Sequence, residues 1–488
     1  MTPETIPALL SLRRQADAGR DAVVTPDTSI TYAQLDDASR GLAGRLVAAG
    51  VGASARVGLL APNGIDWVVT AMAVLRVGGV LVPLSTLLRP PELEAQLSIA
   101  EVTHVIAARQ FRGRHYVDEA SGVAPGVPAL QAVWPIDALP HPTVDDAVVT
   151  ELESTVQPSD DLVVLFTSGS TGTPKGIIHT HGGALRATAK GLDVRFVLPS
   201  ERLYVPMPFF WTGGFATGLL SAFIAGATLL TEAEPEPTRT LEFLDRERVT
   251  LFRGWPDQAA KLAAHPAFAA TDLSSLRDGS LPALLPLERR PPPGARPNIF
   301  GMTETFGPYC SDPIDQNMPR EKWGSCGHPF DSIEVRIADE GEIWLRGPNM
   351  MRGMCGRPRS DVFTPDGWYR TGDLGRLDDD GYLWYLGRLD DMFKVKGASV
   401  YPAEVEAALR SVEGVRQAHV TDVGGEVGAL VVSDASVDEV RTALKERLSA
   451  FKVPSVWLVT PHVDAVPLRA TGKVDKAALQ ALLHEQEK

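Results

Sequence analysis

The segment Thr167-Ser168-Gly169-Ser170-Thr171-Gly172-Thr173-Pro174-Lys175-Gly176 gathers three glycines, five hydroxyl side chains and one lysine. An apolar run, Leu162-Val163-Val164-Leu165-Phe166, leads straight into it. A buried strand opening into such a loop presents backbone N–H groups and hydroxyls to a phosphate chain. Glycine lets the backbone approach closely, and successive N–H groups form an anion-binding concavity. Lys175 adds a full positive charge, and Pro174 limits the loop's conformations. A flexible Ser/Gly linker would need neither the apolar run before it nor the fixed Pro-Lys-Gly after it. The spacing is not that of a Walker loop, in which lysine follows glycine and precedes Ser or Thr.

Four more clusters of reactive residue types follow along the chain. They are Asn298-Ile299-Phe300-Gly301-Met302-Thr303-Glu304-Thr305, Trp368-Tyr369-Arg370-Thr371-Gly372-Asp373-Leu374, Gly387-Arg388-Leu389-Asp390-Asp391 and Pro467-Leu468-Arg469-Ala470-Thr471-Gly472-Lys473. An aromatic run, Pro206-Met207-Pro208-Phe209-Phe210-Trp211-Thr212-Gly213-Gly214, lies between the first loop and the second cluster. In this order the clusters resemble the motifs of the adenylate-forming superfamily: acyl-CoA synthetases, adenylation domains of peptide synthetases, and luciferases. The Phe-Phe-Trp-x-Gly-Gly run, with Gly-Met-Thr-Glu-Thr-Phe-Gly-Pro later, resembles a bacterial acyl-CoA synthetase-like branch.

The resemblance implies a chemistry. ATP and a carboxylic acid give acyl-AMP and pyrophosphate, and the acyl group then passes to a nucleophile. CoA is the expected acceptor, which makes the chain a carboxylic acid–CoA ligase. An amide synthetase using a free amine is the alternative, and it shares every first-step residue.

Roles follow residue by residue. Thr167, Ser168, Gly169, Ser170, Thr171, Gly172 and Lys175 cradle the ATP phosphates. Phe300 offers a flat face to adenine, and Gly301 and Met302 lay backbone against the substrate. Thr303 supplies a hydroxyl to the adenylate phosphate. Glu304 is suited to Mg²⁺, a hard ion that shares its shell with phosphates. Asp373 accepts hydrogen bonds from a ribose diol, and Arg388 contacts ribose or phosphate. Asp390 is the expected hinge. Lys473 stabilises the charge that develops as the carboxylate attacks the α-phosphorus. Phe210, Trp211 and Gly213 line the acyl side, with Trp211 as a wall toward the acceptor tunnel, and Phe209 is expected in the core. Asp391 and Lys476 read as surface charges. His179 and His181 read as structural residues at a helix start, because an ionised carboxylate needs no general base.

These residues need a scaffold to hold them. With 488 residues the chain exceeds one compact core. Its 44% hydrophobic content fits globular folding. A net charge of −14 argues against nucleic acid or an anionic membrane as main partner. The apolar region from Val68 to Leu84 is interrupted by Arg76, Gly78, Gly79 and Pro83, so no membrane span is expected. The opening Met1-Thr2-Pro3-Glu4 lacks a signal-peptide pattern. Cys310, Cys326 and Cys355 have no metal-ligand spacing, and a reduced cytoplasmic protein is expected. The oligomeric state is left open.

The elements alternate early. Ser29–Tyr32 reads as strand and Ala33–Ala49 as helix, closed by Gly50. Arg56–Leu60 is strand, Ile65–Val77 helix and Val80–Pro83 strand. This βαβ rhythm implies a largely parallel sheet. Residues 112–160 read as surface structure, and Ile224–Leu230 as a strand. Beyond Trp323 the period falls to two, in Ser332–Ile337, Gly341–Gly347 and Gly381–Gly387, which implies antiparallel strands. The expected class is α/β. A large N-terminal domain, 1–388, has mainly parallel sheets plus a β-rich subdomain. A small mobile α+β domain, 389–488, carries Lys473.

Overall fold

The alternation of short apolar runs with helical segments produces two mostly parallel sheets. The structure is a computed structural model, and it describes residues 3–139, 141–167, 174–395, 398–448, 450–468 and 473–486. The chain divides into two compact units. One comprises residues 1–334 and 346–368, the other 335–345 and 369–488.

In the first unit a seven-stranded sheet runs in the order Gly353–Met354, Lys175–Thr180, Asp161–Thr167, Val80–Pro83, Arg56–Leu60, His104–Ala107, Ala132–Pro135. The last five are parallel, and the first two pair antiparallel. Parallel strands are covered on both faces and read as continuous apolar runs. Val80–Pro83 and His104–Ala107 are buried along their whole length. A five-stranded sheet joins Leu251–Phe252, Arg202–Tyr204, Thr228–Leu230, Asp21–Val24 and Ser29–Thr31, with only the last strand antiparallel.

The helix Tyr32–Ala48 starts on a capping box. The Thr31 hydroxyl accepts from the Gln34 N–H, and the Gln34 side chain accepts from the Thr31 N–H. It ends at Gly50, whose φ of 95° is open to glycine at no steric cost. The helix Ile65–Arg76 is apolar nearly all round, and Trp67, Val68, Ala71, Met72, Val74 and Leu75 are buried. Its last residue, Arg76, is buried and paired with Asp36 and Glu153.

Two expectations fail here. The stretch 112–160 is not merely surface. It holds the helix Tyr116–Val123, the edge strand Ala132–Pro135 and the helix Asp146–Thr155. The strand is half-buried throughout, so neither alternation nor a continuous apolar run marks it. Its pairing with His104–Ala107 creates it. Ile224–Leu230 is not one strand either. The helix Ser221–Ala225 stops at Gly226, at φ 77°, and the strand is only Thr228–Leu230. A short apolar run does not distinguish helix from strand. The proline-rich 281–297 forms only the single 3-10 turns Pro282–Leu284 and Leu287–Arg289.

In the second unit Glu334–Ile337, Glu342–Arg346, Tyr369–Leu377 and Leu383–Arg388 form a four-stranded sheet. Beyond it, Val415–Val423, Glu426–Ser433 and Val456–Thr460 form a three-stranded sheet. The helices Pro402–Arg410, Val437–Lys445 and Lys476–Glu485 pack with it. Among the described residues no helix is long and apolar enough to cross a membrane.

Candidate functional site

The strands flanking the glycine-rich segment are described, and they pair Thr167 with Lys175. Ser168, Gly169, Ser170, Thr171 and Gly172 lie outside the described residues. Strand Lys175–Thr180 then leads to helix His181–Lys190. A strand therefore intervenes between the glycine-rich segment and the helix, and of the two histidines only His181 stands at a helix start.

Phe300–Met302 and Gly307–Cys310 form an antiparallel hairpin, and its tip is the 3-10 turn Thr303–Thr305. Phe306 closes the turn at φ 58°. The Thr305 hydroxyl takes the Met302 N–H at 3.3 Å and lies 2.6 Å from the Gly307 carbonyl. Gly301 passes so close to the other strand that a Cβ would overlap the Gly307 carbonyl and the Pro308 Cα. Glu304 is 8% exposed, and its carbonyl accepts from the Met351 N–H at 2.7 Å. The half-buried Phe300 ring meets Tyr309 edge-on at 5.5 Å.

Thr303 is held from two sides. Its hydroxyl lies 3.3 Å from that of Thr212, and its carbonyl is 2.7 Å from His179 Nε2. The first contact ties the Thr-Glu turn to the aromatic run. In that run Phe209 is fully buried against Trp67, at 5.1 Å, and belongs to the core as expected. Phe210 is nearly buried. Trp211 is half-buried, 5.1 Å from Phe210 and 5.5 Å from Trp255 in edge-to-face contact. Gly213 faces the Met207 sulfur.

The sequence reading missed Asn63, Thr212 and Trp255. Asn63 holds the aromatic run by its backbone. Its Oδ1 accepts from Phe209 N–H at 2.8 Å, and its Nδ2 donates to the Met207 carbonyl at 3.0 Å. The only signal was a polar residue just after the buried strand Arg56–Leu60.

Both histidines are fully buried. Burial pushes His179 down to about 4, against the opposing hydrogen bond to the Thr303 carbonyl. Burial likewise pushes His181 down to about 4, against the charge of Asp160. His181 Nδ1 accepts from the Ile6 N–H at 3.2 Å. Both rings are neutral at pH 7.

In the second unit, Asp373 and Arg388 are direct partners across Tyr369–Leu377 and Leu383–Arg388. Arg388 Nη1 donates to Asp373 Oδ1 at 3.0 Å and to the Thr371 carbonyl at 3.1 Å. Its Nε donates to Asp390 Oδ1 at 3.0 Å. One guanidinium thus links the predicted ribose carboxylate with the predicted hinge. Burial pulls the Arg388 pKa down, but its two carboxylate partners outweigh burial and hold it above its ordinary value. For Asp390 burial acts upward, and the Arg388 hydrogen bond and charge carry it below its ordinary range. Gly372, at φ 71°, leaves room for that guanidinium, 2.9 Å from where a Cβ would sit.

Lys473 is exposed, beside an isolated bridge pairing Leu468 with Val474. Asp475 caps the helix that follows, accepting from Ala477 and Ala478 N–H. Asp391 and Lys476, read as surface charges, form an ion pair with each other.

Among the described residues no group of three His, Cys, Asp or Glu side chains gathers to hold a metal. Glu304, a nearly buried carboxylate on the Thr-Glu turn, has the oxygen donor that Mg²⁺ takes, since Mg²⁺ binds one or two carboxylates and completes its shell with phosphate and water.

The family model for AMP-binding enzymes matches residues 12–355. A (7a-methyl-1,5-dioxo-octahydro-1H-inden-4-yl)propanoyl:CoA ligase of Mycobacterium tuberculosis is 34% identical, over 98% of this chain and 99% of its own. A feruloyl-CoA synthase of an Amycolatopsis species is 33% identical, over 93% of this chain and 94% of its own. The o-succinylbenzoate CoA synthetase of Bacillus subtilis, solved with its acyl-adenylate, superposes with a TM-score of 0.77 at 26% identity, over 97% of both chains. An anthranilate CoA ligase shares the fold, with a TM-score of 0.80 over 98% of this chain and 97% of its own. Matches of this extent place the chain in the AMP-binding enzyme family, on the acyl-CoA synthetase-like branch of the adenylate-forming superfamily.

Proposed function

We propose that the protein is an AMP-forming carboxylate–CoA ligase acting on an aromatic or bulky apolar acid. The observation that carries this reading is the 3.3 Å contact between the Thr303 and Thr212 hydroxyls. The residue assigned to the adenylate phosphate touches the loop assigned to the acyl group, so carboxylate and phosphate meet at one place.

In the first step a carboxylate oxygen attacks the α-phosphorus and the bond to pyrophosphate breaks. The acid is already ionised at neutral pH, so no base is required. Lys175 and the hydroxyls of the phosphate loop hold the phosphate chain, Thr303 orients the α-phosphate, and Asp373 holds the ribose. Lys473 offsets developing charge on the phosphate oxygens. Glu304 is the residue that would hold Mg²⁺, which neutralises phosphate charge when bound. In the second step the CoA thiol attacks the acyl carbonyl and AMP leaves. A rotation of residues 389–488 about Asp390 separates the two steps in this reading. A cytoplasmic setting goes with it, since the reaction consumes ATP and CoA.

The ring faces of Trp211 and Trp255 and the nearly buried Phe210 support the acid class, as do the ring acids in the names of two relatives. Mass spectrometry of enzyme with ATP, Mg²⁺, mixed aliphatic and aromatic acids, CoA and simple amines tests the whole reading. A thioester of a ring acid is the expected product. An amide without thioester would transfer the assignment to an amide synthetase. Trp211→Ala is expected to raise KM for the accepted acid about tenfold or more, from lost aromatic contact, with KM for ATP unchanged. An unaltered KM for the acid would remove Trp211 from the acyl side.

Gly301→Ala tests the hairpin. The added methyl must force the two strands apart, and about 1 Å of misplacement can cost about 10²-fold in rate. The expected result is at least a tenfold slower ATP–pyrophosphate exchange with an unchanged circular dichroism spectrum. Wild-type exchange would show that the hairpin geometry is not needed for adenylation.

A further inference from the structure

We infer that His179 is a positioning residue for adenylation, setting Thr303 through its backbone carbonyl without touching substrate. The inference rests on the reading of Thr303 as the adenylate-phosphate ligand.

A carbonyl oxygen only accepts, so at 2.7 Å the His179 Nε2 must carry the proton and donate it. Nδ1 is then the bare nitrogen, and it has no hydrogen-bond partner among the described residues. An imidazole buried with one nitrogen unsatisfied costs stability that an apolar residue of similar size would not. The packing alone therefore gives no reason for a histidine here. The bond to Thr303 does.

The root and the end of this strut both belong to the phosphate side. His179 lies on strand Lys175–Thr180, four residues after Lys175 and, by the period of two, on the same strand face. The ring is held 4.8 Å from Phe306, the residue that closes the Thr-Glu turn. Phe306 in turn meets the fully buried Phe215. Thr303 is thus fixed at its carbonyl by His179 and at its hydroxyl by Thr212. A shift of the strand that leaves the phosphate loop moves the Thr303 hydroxyl with it, which keeps the two phosphate contacts in register.

The test compares His179→Gln with His179→Asn in the full-length enzyme. Gln carries an N–H donor at about the reach of Nε2, and Asn only at that of Nδ1. Both are polar and buried alike, so melting temperatures should match. The expected result is ATP–pyrophosphate exchange close to wild type for Gln and a kcat about tenfold to a hundredfold lower for Asn. Transfer from supplied acyl-AMP to CoA should be nearly equal in the two. In a Thr303→Ala background the Gln and Asn variants should become equal. Equal exchange by both variants with Thr303 intact overturns the inference, as does a difference that persists without the Thr303 hydroxyl. Thr303→Ala alone separates the premises. Wild-type exchange by that variant removes the reading of Thr303 itself, whereas a normal loss there with equal Gln and Asn rates removes only the role of His179.

Discussion

Replacing Lys473 with alanine is expected to slow acyl-AMP formation by roughly 10²-fold or more, the scale on which removing one charge-stabilising group acts. The first half-reaction builds negative charge around the α-phosphorus, and a positioned cation lowers that barrier more than it strengthens ground-state binding. The surroundings of Lys473 favour presentation over burial. The side chain is exposed, the next residue, Val474, pairs with Leu468, and Asp475 caps the helix that follows. The adjoining Lys476 is engaged with Asp391, so the neighbouring cation is committed to an ion pair. The same variant should transfer supplied acyl-AMP to CoA at a rate much closer to wild type, because that step breaks the bond to AMP and needs no cation at attacking carboxylate. Rapid-quench measurement of each half-reaction checks both numbers. Equal loss in both would contradict a lysine used in one step and withdrawn for the other.

The second large effect is on stability in acid. His179 and His181 are both held near 4 by burial, well below the ordinary 6.5. A folded-state value lowered in this way means that the unfolded chain binds protons which the folded chain refuses. The contribution is fully present above about pH 6.5 and is lost progressively as pH falls toward 4. Each shift unit corresponds to about 1.4 kcal/mol, so each histidine costs about 2 kcal/mol of stability by pH 5. Asp160 opposes this for His181, and Glu232, whose pKa burial raises, acts in the opposite direction. His181→Asn keeps an acceptor for the Ile6 N–H and removes one titrating ring. Its melting temperature should fall less between pH 7 and pH 5 than that of the wild type. Parallel declines would exclude His181 as a source of the acid sensitivity.

Much of the molecule was legible in one dimension because the chemistry is local. The glycine-rich segment after Phe166, the Phe300–Thr305 segment, Asp373, Arg388 and Lys473 are each singled out by neighbours within a few residues of sequence. Gly301 and Gly372 show why: one is pressed against another backbone and the other leaves space for a guanidinium. Buried parallel strands such as Val80–Pro83 announce themselves as apolar runs, and helix Tyr32–Ala48 announces its end by Gly50.

What the tertiary structure decided is of another kind. The edge strand Ala132–Pro135 exists by pairing with His104–Ala107 and has no pattern of its own. Asn63 reaches the aromatic run across 146 residues of sequence, and His179 reaches Thr303 across 124. Side-chain-to-backbone bonds of this span leave no periodicity, because their partner is a carbonyl or N–H that every residue carries. The sequence by itself singled out the residues proposed to carry the chemistry and the order in which they occur. Only the folded chain determined which buried polar groups hold them in place, since burial makes one unmatched hydrogen bond expensive and so fixes the partner.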